Sequence, residues 1–435
     1  MYNIISNLSI NVNFGFYEQN PYLYPMQDST FKNTMTLEDA QRLVGPLSFN
    51  LMIKPAGSSC NLGCSYCYYL DKADIYGRKE PVMSEAMLKL VIRSYMETCQ
   101  TPEVVFNWHG GEPLILGKEF FRKVIAFERE FGEGRKILNT VQTNGTLLDE
   151  EWAGLLAEGG FLTGISIDGP AHIHDRYRMD RKGSPTFDKV IAGIEYLKKG
   201  GAEFNTMSTI NRASEGQGKE VYAFLKDIGS RYMQFMPVVE HILNGRIVPP
   251  QTSGASLAEW SVSDTGFGQF MCDIFDEWIR QDVGNYFVGH FDATLARWCG
   301  VQPGTCAYAE TCGGNAVIEH NGDVYMCDHF VYPEYRLGNI QDKSLREMLT
   351  SEQMIRFGIS KRNTLPMKCQ KCDWLPLCNG ECPKHRFSTD ENGQIGLNAL
   401  CRGYEMLYSH TAPYMLRMRQ LIIEKRPPAD IMNEI

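Results

Sequence analysis

Cys60, Cys64 and Cys67 stand at Cys-x3-Cys-x2-Cys spacing just after the apolar run Phe49-Asn50-Leu51-Met52-Ile53. Three thiolates can hold three irons of a cubane [4Fe–4S] cluster and leave the fourth iron without a protein ligand. An open iron can take a chelating small molecule, so such a cluster can do chemistry as well as pass electrons. A zinc knuckle, or three unrelated thiols, is the plainer reading of the same residues.

A second cysteine field lies toward the C-terminus: Cys312-x9-Gly322-x4-Cys327, then Cys369-x2-Cys372-x5-Cys378-x3-Cys382, and Cys401. Adding Cys306 makes eight thiolates, enough for two fully ligated cubanes. Cys299 lies seven residues before Cys306 and competes with it as the eighth ligand. Cys-x2-Cys pairs also suit zinc. Cys99 and Cys272 read as buried small apolar residues. Asp328 directly follows Cys327; a carboxylate held there could act as a general base, while a solvated turn residue is the plainer reading. Between the two fields, His109-Gly110-Gly111-Glu112-Pro113 combines glycines that let backbone approach a ligand with a carboxylate suited to an ammonium group.

The elements that must position these residues alternate regularly. Strand patterns fall at Phe49–Ile53, Val104–Trp108, Ile137–Val141, Leu162–Ile167, Phe204–Thr209 and Tyr232–Met236. Amphipathic helix patterns fall between them at Ser84–Thr98, Glu119–Phe131, Glu150–Glu158, Phe187–Lys199 and Lys219–Ile228, with N-cap signals at Ser84 and Asp149. Six such β-α repeats predict a parallel sheet with helices outside it, and a site at the C-terminal ends of the strands. The first cysteine loop follows the first strand. Beyond, Gly254-Ala255-Ser256 and Ser263–Gly268 read as loops and Phe270–Arg280 as a helix. Val317–Tyr325 reads as a hairpin about an Asn-Gly turn, and Arg402–Arg419 as a terminal helix.

A net charge of −9 argues against a nucleic-acid partner. No apolar run reaches transmembrane length and residues 1–20 lack a secretory pattern, so no membrane association is expected and the cytoplasm is the expected location. Ten of the fourteen cysteines fall in two ligand-spaced blocks, Cys60 to Cys67 and Cys306 to Cys382, which reads as metal sites rather than a disulfide scaffold.

The cysteine loop with Lys54–Gly57 and Tyr68–Lys72, Gly110–Pro113, Gln142-Thr143-Asn144-Gly145-Thr146 and Ser166-Ile167-Asp168-Gly169-Pro170 together resemble the radical S-adenosylmethionine (SAM) superfamily. The C-terminal field resembles the SPASM domain. With Cys327-Asp328 and Arg336–Asp342, the stretch from Ser48 to Tyr404 is similar to the anaerobic sulfatase-maturating enzymes.

The resemblance implies an α/β fold: a partial (β/α)6 radical SAM barrel followed by a small cysteine-rich α+β SPASM domain. The expected division is an N-terminal extension (1–46), the barrel (47–238), a helical connector (239–300), the SPASM domain (301–405) and a terminal helix and tail (406–435). It implies three [4Fe–4S] clusters, the first at Cys60, Cys64 and Cys67, with the methionyl amine and carboxylate of SAM on the open iron. Gly110, Gly111 and Glu112 would meet the amine, Ser166 and Arg178 the ribose and carboxylate, and Tyr66 the adenine. One auxiliary cluster would take Cys306, Cys312, Cys327 and Cys382, and the other Cys369, Cys372, Cys378 and Cys401.

The activity implied is oxidation of a Cys or Ser in an unfolded sulfatase polypeptide to Cα-formylglycine, with Asp328 as base. The reductant would be a low-potential donor such as flavodoxin or ferredoxin. His109 stands where some members carry Gln. The alternatives are another SPASM enzyme forming a thioether or carbon–carbon cross-link in a ribosomal peptide, and, in a different class, a non-catalytic electron carrier or zinc-binding module.

Overall fold

In a computed structural model, residues 34–42, 49–76, 82–250 and 252–435 are described. Most of the N-terminal extension therefore lies outside the described residues.

The strand patterns become β1 (Asn50–Lys54), β2 (Glu103–Trp108), β3 (Lys136–Thr143), β4 (Phe161–Ser166), β5 (Phe204–Ile210) and β6 (Tyr232–Pro237). The intervening helices are α1 (Glu85–Thr98), α2 (Lys118–Phe131), α3 (Glu150–Glu158), α4 (Phe187–Gly200) and α5 (Gly218–Asp227). Their starts are set by side-chain caps: Ser84 Oγ accepts the Met87 N–H at 3.2 Å, and Asp149 accepts that of Trp152 at 2.8 Å. Burial alternates along β2, where Val104, Phe106 and Trp108 are fully enclosed together with Leu88, Val91, Ile92 and Tyr95 of α1. Each such side chain contributes roughly 1.5–3 kcal/mol of burial. Val105 and Asn107 on the opposite pleat are half-buried.

All six strands run parallel, in the order β6-β5-β4-β3-β2-β1. A two-residue strand, β7 (Phe287–Val288), extends the β6 edge in parallel. At the other edge, β8 (Asn315–Glu319) pairs in parallel with β1, Leu51 beside Ala316 and Ile53 beside Ile318. β9 (Asp323–Tyr325) and β10 (Arg336–Asn339) follow antiparallel, so the Asn-Gly hairpin and the barrel share one ten-stranded sheet.

One sequence expectation is corrected. Ser263–Gly268 is not a loop: helix α6 (Asp264–Gln281) begins there, with Ser263 Oγ accepting the Gly266 N–H at 3.1 Å. Gly268 permits close helix contact rather than a turn, since a Cβ there would lie 2.8 Å from the Gly403 backbone in α9 (Cys401–Ile423). Between α6 and α9 run α7 (Gly289–Trp298) and α8 (Glu352–Asn363). Part of the N-terminal extension is described: a short helix at Leu37–Arg42 packs on α8. Beside it the Asn363 carboxamide exchanges two hydrogen bonds with the Met35 backbone, at 3.0 and 2.9 Å.

Candidate active site

The cysteine loop leaves the C-terminal end of β1 and is fastened on two sides. Gly63 and Ser65 donate backbone hydrogen bonds to Met179 and Tyr177, and Asn61 bonds the side chains of Asn144 and Thr146 after β3. Gly110 and Gly111 both have positive φ, +85° and +39°. A Cβ on Gly110 would fall 2.2 Å from Lys54 Cδ, and one on Gly111 only 1.9 Å from the Ser59 carbonyl oxygen. No other residue type brings this loop so close to the cysteine loop. Glu112 is fully buried and accepts from Leu114 N–H, Thr143 Oγ1 and Asn144 N–H at 3.0, 2.7 and 2.7 Å. Burial nevertheless lifts this carboxyl to about 7.

Ser166, at the end of β4, accepts from Gln142 Nε2 at 2.9 Å. Tyr66 is buried, and its hydroxyl donates to Asp168 at 2.5 Å. Arg178 Nε forms a buried ion pair with the other Asp168 oxygen at 3.0 Å, and its guanidinium lies over the Tyr66 ring. Asp168 is the residue that sequence reasoning passed over. It sits two positions after Ser166 in the same motif, and it holds both Tyr66 and Arg178.

Cys60, Cys64 and Cys67 gather with Leu62, Tyr66, Val238 and Trp260 in one apolar cluster. Burial, then the Glu112 carboxylate, pushes the Cys60 thiol up to about 12, and burial pushes Cys64 to about 12 against the pull of Arg178. Among the described residues no three ligating side chains converge tightly enough for a single ion, so the fit of an iron–sulfur cluster rests on donor chemistry. Three free thiols, Cys64 buried and Cys60 and Cys67 half-buried, with Cys60 and Cys67 both raising the pKa of Cys64, are a donor set that the cationic core of a cluster fits.

The C-terminal thiols fall into two groups. Cys306, Cys312, Cys327 and Cys382 repel one another electrostatically when ionised. Cys369, Cys372, Cys378 and Cys401 line a single cavity of about 350 Å³, open mouth included, with Trp374, Tyr404 and Tyr408. Both sets have the composition of four-thiolate cluster ligands. Cys299 belongs to neither; it is buried in the core beyond α7, with Arg419 as its charged neighbour. Cys99 caps α1 from just outside the helix, and Cys272 is buried within α6.

Asp328 projects back toward β1. Its Oδ1 lies 2.5 Å from Lys54 Nζ, and its Oδ2 accepts a hydrogen bond from the Tyr68 hydroxyl. Burial works against its ionisation, but Lys54, with His109 and His329, holds the carboxyl well below the usual range. Lys54 is itself buried, 3.3 Å from His109 Nδ1, and burial with this neighbour pushes His109 down to about 3. Tyr68, His329, Tyr332 and Lys384 line a pocket of about 290 Å³, open mouth included, with Val239–His241, Ile247, Val248 and Pro250.

Comparison with known proteins gives the family of the chain. The radical SAM superfamily matches residues 55–225, and the SPASM iron–sulfur cluster-binding domain matches 306–373, which defines a radical SAM enzyme with auxiliary clusters. The chain is 46% identical over 392 residues to the serine-type anaerobic sulfatase-maturating enzyme of Bacteroides thetaiotaomicron, spanning 88% of this chain and 94% of that one. It is 32% identical over 381 residues to the cysteine-type enzyme of Clostridium perfringens (strain 13 / Type A), spanning 86% and 98%. Native anSMEcpe with bound AdoMet and Cp18Cys peptide matches with a TM-score of 0.76 at 31% identity, covering 86% of this chain and 99% of that one. The chain belongs to the anaerobic sulfatase-maturating enzymes.

Proposed function

We propose that the chain oxidises the Cβ of a serine in an unfolded sulfatase segment to the aldehyde of Cα-formylglycine, with cysteine as a second substrate. The observation that carries this reading is the Lys54–Asp328–Tyr68 cluster, a half-buried ionised carboxylate beside an auxiliary-cluster cysteine, whose partner Tyr68 also lines a pocket. The serine preference is supported by the serine-type relative at 46% identity.

When bound, SAM and the clusters supply a 5′-deoxyadenosyl radical that removes a Cβ hydrogen and acceptors for the electron left behind. The chain's own residues do the rest. Asp328 accepts the proton of the substrate hydroxyl or thiol, and Lys54 and Tyr68 fix its two oxygens. Gly110, Gly111 and Glu112 shape the loop that would meet the methionyl ammonium, whose charge would return the raised Glu112 carboxyl to its ionised form. Arg178 and Ser166 would meet the carboxylate and ribose, and Tyr66 the adenine, with Asp168 positioning Tyr66 and Arg178.

The same reading assigns Cys60, Cys64 and Cys67 to the first cluster, the two groups of four to the auxiliary clusters, and the unit boundaries near residues 47, 239, 301 and 406. It includes a flavodoxin- or ferredoxin-like reductant and a cytoplasmic location. Among the described residues, no helix is long and apolar enough to cross a membrane.

The test is anaerobic reconstitution with SAM, a strong reductant and peptides carrying Ser-x-Pro-x-Arg or Cys-x-Pro-x-Arg. Mass spectrometry is expected to find the aldehyde, formed faster from the serine peptide. A cross-linked peptide, or deoxyadenosine with both peptides unchanged, would overturn the proposal.

A further inference from the structure

We infer that Arg386 ties the two auxiliary clusters into one electron relay, fixing the turn that joins them and raising the reduction potential of both. This rests on the reading that the eight C-terminal cysteines hold two clusters.

Cys378 and Cys382 belong to different sets and are joined by Asn379-Gly380-Glu381 alone. All three linking residues are left-handed, with φ of 47°, 69° and 54°. Two of them carry side chains, which this conformation disfavours. Arg386, 3% exposed, grips the whole turn. Its Nε donates to the Gly380 carbonyl at 2.8 Å, and Nη2 to those of Asn379 and Glu381 at 2.5 and 3.1 Å. Nη1 donates to the Lys361 carbonyl of α8. A Cβ on Gly380 would lie 2.5 Å from Nη2, so the turn and the guanidinium are fitted to each other.

The charge of Arg386 is as unusual as its geometry. All four hydrogen bonds go to neutral carbonyls. The nearby Glu381 carboxylate is instead engaged by His385 and Asn398, each at 2.8 Å. The charged neighbours of the buried guanidinium are then Cys378 and Cys369 of one set, the Glu381 carboxylate, and Cys312 of the other set. Lys361, fully buried, donates to the carbonyls of Cys306 and Ala307 at 2.7 Å and faces Cys312 and Cys382, in one set only. A fixed cation in a low-dielectric interior favours the reduced, more negative state of a neighbouring cluster. Arg386 then acts on both clusters and Lys361 on one.

The experiment compares wild type, R386Q, R386K and K361Q, each in a full-length background with Cys60, Cys64 and Cys67 changed to Ala to silence the first cluster. Iron and sulfide content is measured first, then midpoint potentials by EPR-monitored anaerobic titration. R386Q is expected to lower both potentials and K361Q one, while R386K, which keeps the charge but not the fork, stays near wild type. Fully loaded R386Q with unchanged potentials would overturn the inference, as would R386K shifted as far as R386Q. If R386Q does not load, R386K and K361Q decide it: an unshifted K361Q or a shifted R386K overturns it. Iron for fewer than two clusters in the wild-type background would instead overturn the reading beneath it.

Discussion

Lys54 Nζ lies 2.5 Å from Asp328 Oδ1, so the last residue of the first strand holds the carboxylate that follows a C-terminal cluster cysteine. The ammonium end of one motif thereby orients the base of another. Because Lys54 is 1% exposed and packs over the Tyr69 ring, the pair has little water to screen it.

Asp328→Asn keeps the shape of the side chain and removes its basicity. Aldehyde formation is expected to fall by roughly 10²–10⁴, the usual worth of a positioned base. Deoxyadenosine release should continue, because SAM cleavage does not require this proton transfer. Equal loss of both products in the same assay would remove Asp328 from the base role.

Lys54→Met leaves the enclosed Oδ1 of a half-buried carboxylate without its cation and is expected to cost about 3–5 kcal/mol in anaerobic denaturant unfolding. The double variant Lys54→Met with Asp328→Asn should cost less than the two single changes added together. Additivity would mean that the contact carries no coupling energy.

Gly111→Ala meets a backbone carbonyl at 1.9 Å with φ already at +39°, a clash that no rotamer relieves. The cysteine loop must shift, so the purified variant should lose about one cluster's worth of iron and its SAM cleavage. Its auxiliary clusters should remain. Full iron content with normal SAM cleavage would show that the loop has room to spare.

Glu128 predicts a pH effect far from the chemistry. This α2 carboxyl accepts from Asn139, which in turn accepts from Trp108, and its second oxygen has no partner among the described residues. Burial raises it from 4.5 to about 8. With the folded value raised, its contribution is fully present below the unfolded value and is lost as pH climbs through the folded one. Between about pH 6 and 9 the wild type should lose roughly 3 kcal/mol from this group. Glu128→Gln keeps an acceptor for Asn139 and should flatten that slope, measured by denaturant midpoints across the range.

Much of this was legible because it is local. The β-α periodicity found the six parallel strands to within a few residues, and close cysteine spacing marked the two thiol fields. Contacts without local signature were missed. Nothing in the sequence near Phe49 announces that β8 will lie beside it. Asp168 and Lys54 sit inside recognised motifs, yet their partners Arg178 and Asp328 are set by the fold. Ser263–Gly268 misled for a related reason: glycines that read as a turn serve a helix crossing, which only the distant Gly403 explains.

The pairing of β8 with β1 has a further consequence for the life of the chain. The first strand is synthesised long before its neighbour on that side, so its backbone donors and acceptors wait exposed until the C-terminal region arrives. A chain cut after β6 would keep that raw edge permanently, next to the loop that must capture the first cluster. Such a fragment should stick to other copies of itself, and full-length synthesis is thus a precondition for a soluble, loadable barrel.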